Sequence, residues 1–138
     1  MVTTVKYKAE LTEDIEQQMV FDWAALMETR YPCLSLMYHI PNEGKRSAAT
    51  GAKMKRMGLR PGVSDICLPV ARGGFHGLYI ELKAVGGKPT ATQLRFLDGV
   101  RREGYFAALC VGHESAEKTI LGYLELGKGE VELYEEKH

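Results

Sequence analysis

The sequence predicts an α/β fold, a central mixed β-sheet with α-helices packed on its faces. Three observations carry this. Residues 13–30, 91–103 and 114–126 have apolar side chains at helical spacing, while residues 34–40, 64–70, 78–83 and 105–111 form short apolar runs bounded by Gly and Pro. Their order is helix, strand, strand, strand, helix, strand, helix, which suits layers of helix on sheet. The length of 138 residues fits a single domain spanning 1–138.

Each element has a local reason. In the first helix Met19, Val20, Trp23, Leu26 and Met27 recur on one face, with Thr12 placed to cap its start. Pro32 follows its end, and LSLMYHI (34–40) reads as a strand stopped by Pro41-Asn42. Residues 46–57 predict a short basic helix, broken off by Gly58, Pro61 and Gly62. SDICLPV (64–70) is a short apolar strand that begins with an acid, and Arg72-Gly73-Gly74 turns the chain into the next strand, so the two form a hairpin. The helix at 91–103 carries Leu94, Leu97 and Val100 on one stripe and ends at Gly104. YFAALCV (105–111) is a buried strand, a final helix follows, and the tail beyond it adds an edge strand or frays. Trp23, Tyr38 and Tyr79 are most simply core residues rather than platforms for stacked bases.

Composition excludes several classes. Hydrophobic residues make up 45% and charged residues 26%, with no apolar run long enough to span a membrane. The N-terminus lacks the apolar core of a secretion signal, which points to the cytoplasm. Cys33, Cys67 and Cys110 are widely spaced among apolar neighbours and match no zinc pattern. His39 and His76 belong to no cluster with ligand spacing, so packing or backbone contact is their expected use. Net charge is zero, yet residues 43–60 carry six basic side chains and one acidic. Lys45, Arg46, Lys53, Lys55 and Arg56 therefore form either a locally positive surface for phosphates or a solvated helix face balanced by the acidic ends.

The chemistry sits at one end of the predicted sheet. Residues alternate across a strand, so Glu81 and Lys83 share a face of GLYIELK while Leu82 points the other way. If 64–70 and 78–83 pair antiparallel, Asp65 at the start of one strand meets Glu81 near the end of the other. Two close carboxylates are costly unless a cation lies between them, and Mg²⁺ is commonly held by one or two carboxylates together with waters and phosphate oxygens. Taken singly, E-x-K is usually a surface ion pair and Asp65 a turn residue. Together they put two acids and a lysine where phosphodiester hydrolysis needs them.

PGVSD (61–65) followed by IELK (80–83) resembles the bipartite signature of the PD-(D/E)xK nuclease superfamily. EDIEQ (13–17), HIPNEGKR (39–46), HGLYIELK (76–83), Thr90-x-x-Gln93 and GYxA (104–107) further resemble the virus-type replication-repair nuclease, or VRR-NUC, family, in order over nearly the whole chain. Ser64 departs from the proline of the superfamily's name, at a position that is not a ligand. The resemblance implies a restriction-endonuclease-like core and a Mg²⁺- or Mn²⁺-dependent endonuclease for DNA, structure-selective for branched, flap or Holliday-junction substrates. It implies Asp65, Glu81 and the Leu82 carbonyl as metal ligands, and Lys83 as the group that positions water and offsets phosphate charge. A first-helix glutamate joins them. Glu13 aligns best with E-x-x-x-Q, and Glu16 on nearly the same face is the alternative. Gln93 would reach Lys83 or a phosphate, or serve as a polar residue near a helix start. By analogy, a homodimer in a bacterial or phage-infected cell, with a possible helicase or replication-protein partner, is expected. A non-catalytic DNA-binding module on the same fold is the competing class, and it would be expected to lose part of the acid, acid and lysine set. A site-specific restriction enzyme would need recognition elements for which the chain has little room.

Overall fold

The computed structural model describes residues 11–41 and 47–127. Four strands form one sheet in the order β1-β2-β3-β4, comprising Tyr38–His39, Ile66–Leu68, Leu78–Lys83 and Phe106–Val111. β1, β2 and β3 are antiparallel neighbours, and β4 lies parallel to β3. A parallel neighbour needs a crossover, which α3 (Ala91–Arg102) supplies. The remaining helices are α1 (Glu13–Met27), α2 (Ala48–Arg56) and α4 (His113–Leu124).

Strand alternation sorts the side chains into two layers. Ile66, Leu68, Leu78, Ile80, Leu82 and Cys110 point to one face and make the main core with Val20 and Ala24 of α1 and Ala116, Ile120 and Tyr123 of α4. On the other face α3 covers the sheet with Leu97, and Phe96 meets Tyr79 edge-on at 5.3 Å. The acidic residues of the hairpin belong to this second face.

Three expectations change. Residues 34–40 are not one strand, because Pro32 opens a 3₁₀ turn over Pro32–Leu36 that buries Leu34 beneath α1, leaving only Tyr38 and His39 in the sheet. Tyr38 is also not a core residue. It is 48% exposed on an edge strand, whereas Trp23 and Tyr79 pack as expected. Nor is 105–111 a fully buried strand, because β4 forms an edge of the sheet and leaves Leu109 38% and Val111 47% exposed. The other predicted elements occur with ends shifted by a few residues. The cysteines are free, with Cys67 and Cys110 buried and Cys33 half-buried. His76 packs edge-on against Tyr105. The predicted tail, Lys45 and Arg46 lie outside the described residues. Among the described residues no helix is long and apolar enough to cross a membrane.

Candidate active site

The hairpin register decides where the acids meet. Ile66 stands opposite Ile80, so the next pair outward is Asp65 and Glu81, on the same face at the open end of β2 and β3. Asp65 is held from three directions. Its Oδ2 accepts the Leu82 N–H at 2.8 Å, and its carbonyl accepts the Ile40 N–H at 2.8 Å and His39 Nδ1 at 2.7 Å. His39 thus contacts backbone, as expected from its lack of metal-ligand spacing.

The loop delivering Asp65 depends on Gly62. Its φ is +87°, and a Cβ there would come within 2.6–2.8 Å of Thr92, including its backbone. A residue without a side chain lets the Pro61-Gly62 turn press against the first turn of α3, and Asp65 follows directly. Ser64 is 1% exposed and its hydroxyl finds no hydrogen-bond partner.

Glu81 is under electrostatic strain. It is 1% exposed, neither carboxylate oxygen has a hydrogen-bond partner, and Lys83 Nζ stands 3.5 Å from its Oε1. Burial first and the Asp65 carboxylate second push its pKa up to about 8, against the opposing pull of Lys83. Lys83 is itself buried and stands 3.7 Å from Glu13 Oε1, so its ammonium lies between two glutamates. A cleft of about 340 Å³ opens beside this group, lined by Glu13, Asp14, Gln17, His39, Pro41, Asp65 and Leu82.

The first-helix acids separate. Glu13 faces the cleft and Lys83. Glu16 is buried and its carboxylate accepts the backbone N–H of His113, the first residue of α4, whose N-cap, Gly112, has no side chain to do so. Gly112 N in turn donates to the Lys83 carbonyl at 2.8 Å. One turn of α1 therefore ties the end of β3 to the start of α4. Glu16→Ala is expected to destabilise the protein by about 1–3 kcal/mol in denaturant unfolding, and Glu16→Gln by less, since the amide retains an acceptor. Equal losses in both variants would contradict the cap.

Gln93 has a local partner. Its side-chain oxygen accepts the Thr90 N–H at 2.8 Å while Thr90 Oγ1 accepts the Gln93 N–H, a capping box that explains the T-x-x-Q spacing. These bonds do not reach Lys83. On α2 no residue is buried, and Lys53, Lys55 and Arg56 are exposed. Asp14 joins the cleft wall unanticipated, and a charge in the first turn of a helix gave no signal for it.

Among the described residues no group of three or more His, Cys, Asp or Glu side chains is placed to hold a metal ion. The arrangement is an open one. Two carboxylates, one with both oxygens unsatisfied and a raised pKa, suit a hard divalent cation that completes its shell with water and phosphate oxygens.

The VRR-NUC domain family model matches residues 5–114. A solved structure, a VRR-NUC domain protein, is similar at 32% sequence identity with a TM-score of 0.76, over 86% of this chain and 93% of that one. No curated protein matches significantly.

Proposed function

Because this chain belongs to the VRR-NUC domain family, a family of nuclease-type domains, we propose that it is a metal-dependent endonuclease that hydrolyses DNA phosphodiester bonds. The observation that carries the proposal is the pairing of Asp65 with the unsatisfied Glu81 carboxylate, with Lys83 on the same face. Two acids in that state are costly in the empty protein and useful to a cation. Asp65, Glu81 and the Leu82 carbonyl would hold Mg²⁺ or Mn²⁺. When bound, such an ion makes hydroxide accessible near neutral pH and withdraws charge from phosphate oxygens.

The chain's own groups do the rest. Lys83, restrained by Glu13 and Glu81, presents a fixed positive charge to the phosphate and orients the attacking water. Fixing it in advance removes reorganisation at the moment of reaction. Asp65 is positioned by backbone bonds rather than by flexible neighbours, which favours a repeatable in-line geometry. Lys53, Lys55 and Arg56 lie in the segment that leaves the sheet after His39 and returns at Ile66, and in this reading they neutralise phosphates without reading bases. Selectivity for flap or four-way-junction DNA, and a homodimer acting on such two-fold substrates, belong to the same proposal.

The test is cleavage of end-labelled single-stranded, duplex, flap and four-way-junction DNA with Mg²⁺, Mn²⁺ or EDTA. Cutting in either metal that EDTA abolishes is the expected result, and the relative rates rank the substrates. Binding without cutting in any metal would reassign the chain as a DNA-binding module on this fold.

A further inference from the structure

Tyr38 is an exposed aromatic residue on the face of the sheet that holds the carboxylates. It stands opposite Cys67 in the β1–β2 register, and Cys67 stands opposite Tyr79 in the β2–β3 register. Asp65 lies two residues from Cys67 and Glu81 two from Tyr79, so all of these side chains share one face. One strand period, about 7 Å, separates the Tyr38 row from the carboxylate row. The inner members of the row are covered: Cys67 is 4% exposed, and Tyr79 lies under Phe96 and beside Tyr105. Tyr38 is 48% exposed, at the edge of the sheet.

Charge identifies the occupant. The chain leaves the sheet after His39 and returns at Ile66, and residues 47–60 within that connection carry four basic side chains and no acidic one. An uncovered ring at the start of a connection that carries this positive charge, and on the face of a carboxylate site, suits a nucleic-acid strand better than an apolar protein surface. Stacking on an aromatic ring tolerates any base, because every base has a π-face, and it needs a base free of its own stack. Hydrogen bonding to Cys67, with burial, holds the Tyr38 pKa up to about 12, so the ring stays uncharged beside phosphates.

We propose that Tyr38 is a stacking platform for an unpaired nucleobase adjacent to the phosphate at the Asp65 end of the sheet, favouring single-stranded or frayed DNA over intact duplex. The location rests on the nuclease reading above. The stacking chemistry does not.

The test is binding in EDTA, so that catalysis plays no part. Wild type, Tyr38→Phe and Tyr38→Ala are titrated with single-stranded oligonucleotides containing 2-aminopurine and with fluorescently labelled duplex, after thermal melting confirms that each variant folds. Wild type and Tyr38→Phe are expected to quench the probe and bind within about twofold of each other, and Tyr38→Ala to bind single strands about tenfold more weakly with duplex affinity unchanged. Unchanged single-strand binding by Tyr38→Ala would overturn the proposal, as would a phenylalanine variant as weak as alanine. Should Tyr38→Ala misfold, photocrosslinking of wild type to 5-iododeoxyuridine DNA decides: a crosslink at Tyr38 supports the platform and crosslinks only elsewhere reject it. Metal-dependent cutting together with unchanged Tyr38→Ala binding removes the platform alone. Stacking through Tyr38 without any cutting upholds the platform and removes the nuclease.

Discussion

Replacing Asp65 by asparagine is expected to lower the single-turnover rate of Mg²⁺-dependent DNA cleavage by about 10³-fold without unfolding the protein. The substitution is chosen to separate charge from shape. Asparagine keeps an oxygen where Asp65 Oδ2 accepts the Leu82 N–H, and the bonds from Ile40 and His39 go to the main-chain carbonyl, which the change leaves alone. What disappears is the negative charge facing the cleft. Lys83→Met provides the complementary loss, expected at about 10²–10³-fold, because it removes the ammonium while preserving most of the buried stem. Circular dichroism and melting check the fold, and rates on the best substrate decide the chemistry. An Asp65→Asn protein that cuts at the wild-type rate would remove Asp65 from the proposed site.

Glu81→Gln is expected to do two opposite things, stabilising the metal-free protein while abolishing cleavage. Both effects come from one cause, the burial of a carboxylate whose oxygens have no hydrogen-bond partner. The folded pKa is raised from its ordinary 4.5 to about 8. Between those values the folded state holds a proton that the unfolded state releases, so the slope of unfolding free energy with pH is negative. Glu81's favourable contribution is therefore present in full below about pH 4.5 and is lost as pH rises through about 8. Glutamine has no proton to lose. In EDTA at pH 9 the variant should exceed wild type by about 2 kcal/mol or more, with the difference shrinking towards pH 5. Added Mg²⁺ should raise the melting temperature of wild type and leave that of Glu81→Gln nearly unchanged. A variant less stable than wild type at pH 9 would mean that the charged carboxylate is satisfied in the fold after all. A site kept at the expense of stability is the usual sign of function.

Much of this was legible from local pattern. Helical spacing located α1, α3 and α4, Thr12 was readable as a start, and Gly104 as a stop with φ +93°. The hairpin could be read from two apolar runs around Arg72-Gly73-Gly74, and strand alternation put Glu81 and Lys83 on one face. From the same pairing rule came the meeting of Asp65 with Glu81. Such features depend on backbone geometry that repeats every two or 3.6 residues, so a linear sequence encodes them directly.

Other assignments needed contacts between residues distant in the chain. Pro32 permits a turn as readily as a strand start, and that the following apolar residues turn beneath α1 depends on the surface offered by a helix already in place. Glu13 and Glu16 are equivalent by helical spacing. They part only because α4 begins at a glycine that cannot cap itself, leaving a main-chain N–H that Glu16 fills, while Glu13 is left towards Lys83. Tyr38 and Tyr79 look alike as strand tyrosines, and packing against Phe96 and Tyr105 covers Tyr79 while Tyr38 stays open on the edge strand. By itself the sequence determined the α/β class, the order of elements and the acid, acid and lysine set, since these follow from local periodicity and spacing. Which glutamate faces the site, how deeply Glu81 is buried and which tyrosine remains exposed were decided by the tertiary structure, because burial and long-range hydrogen bonds exist only once the helices are packed on the sheet.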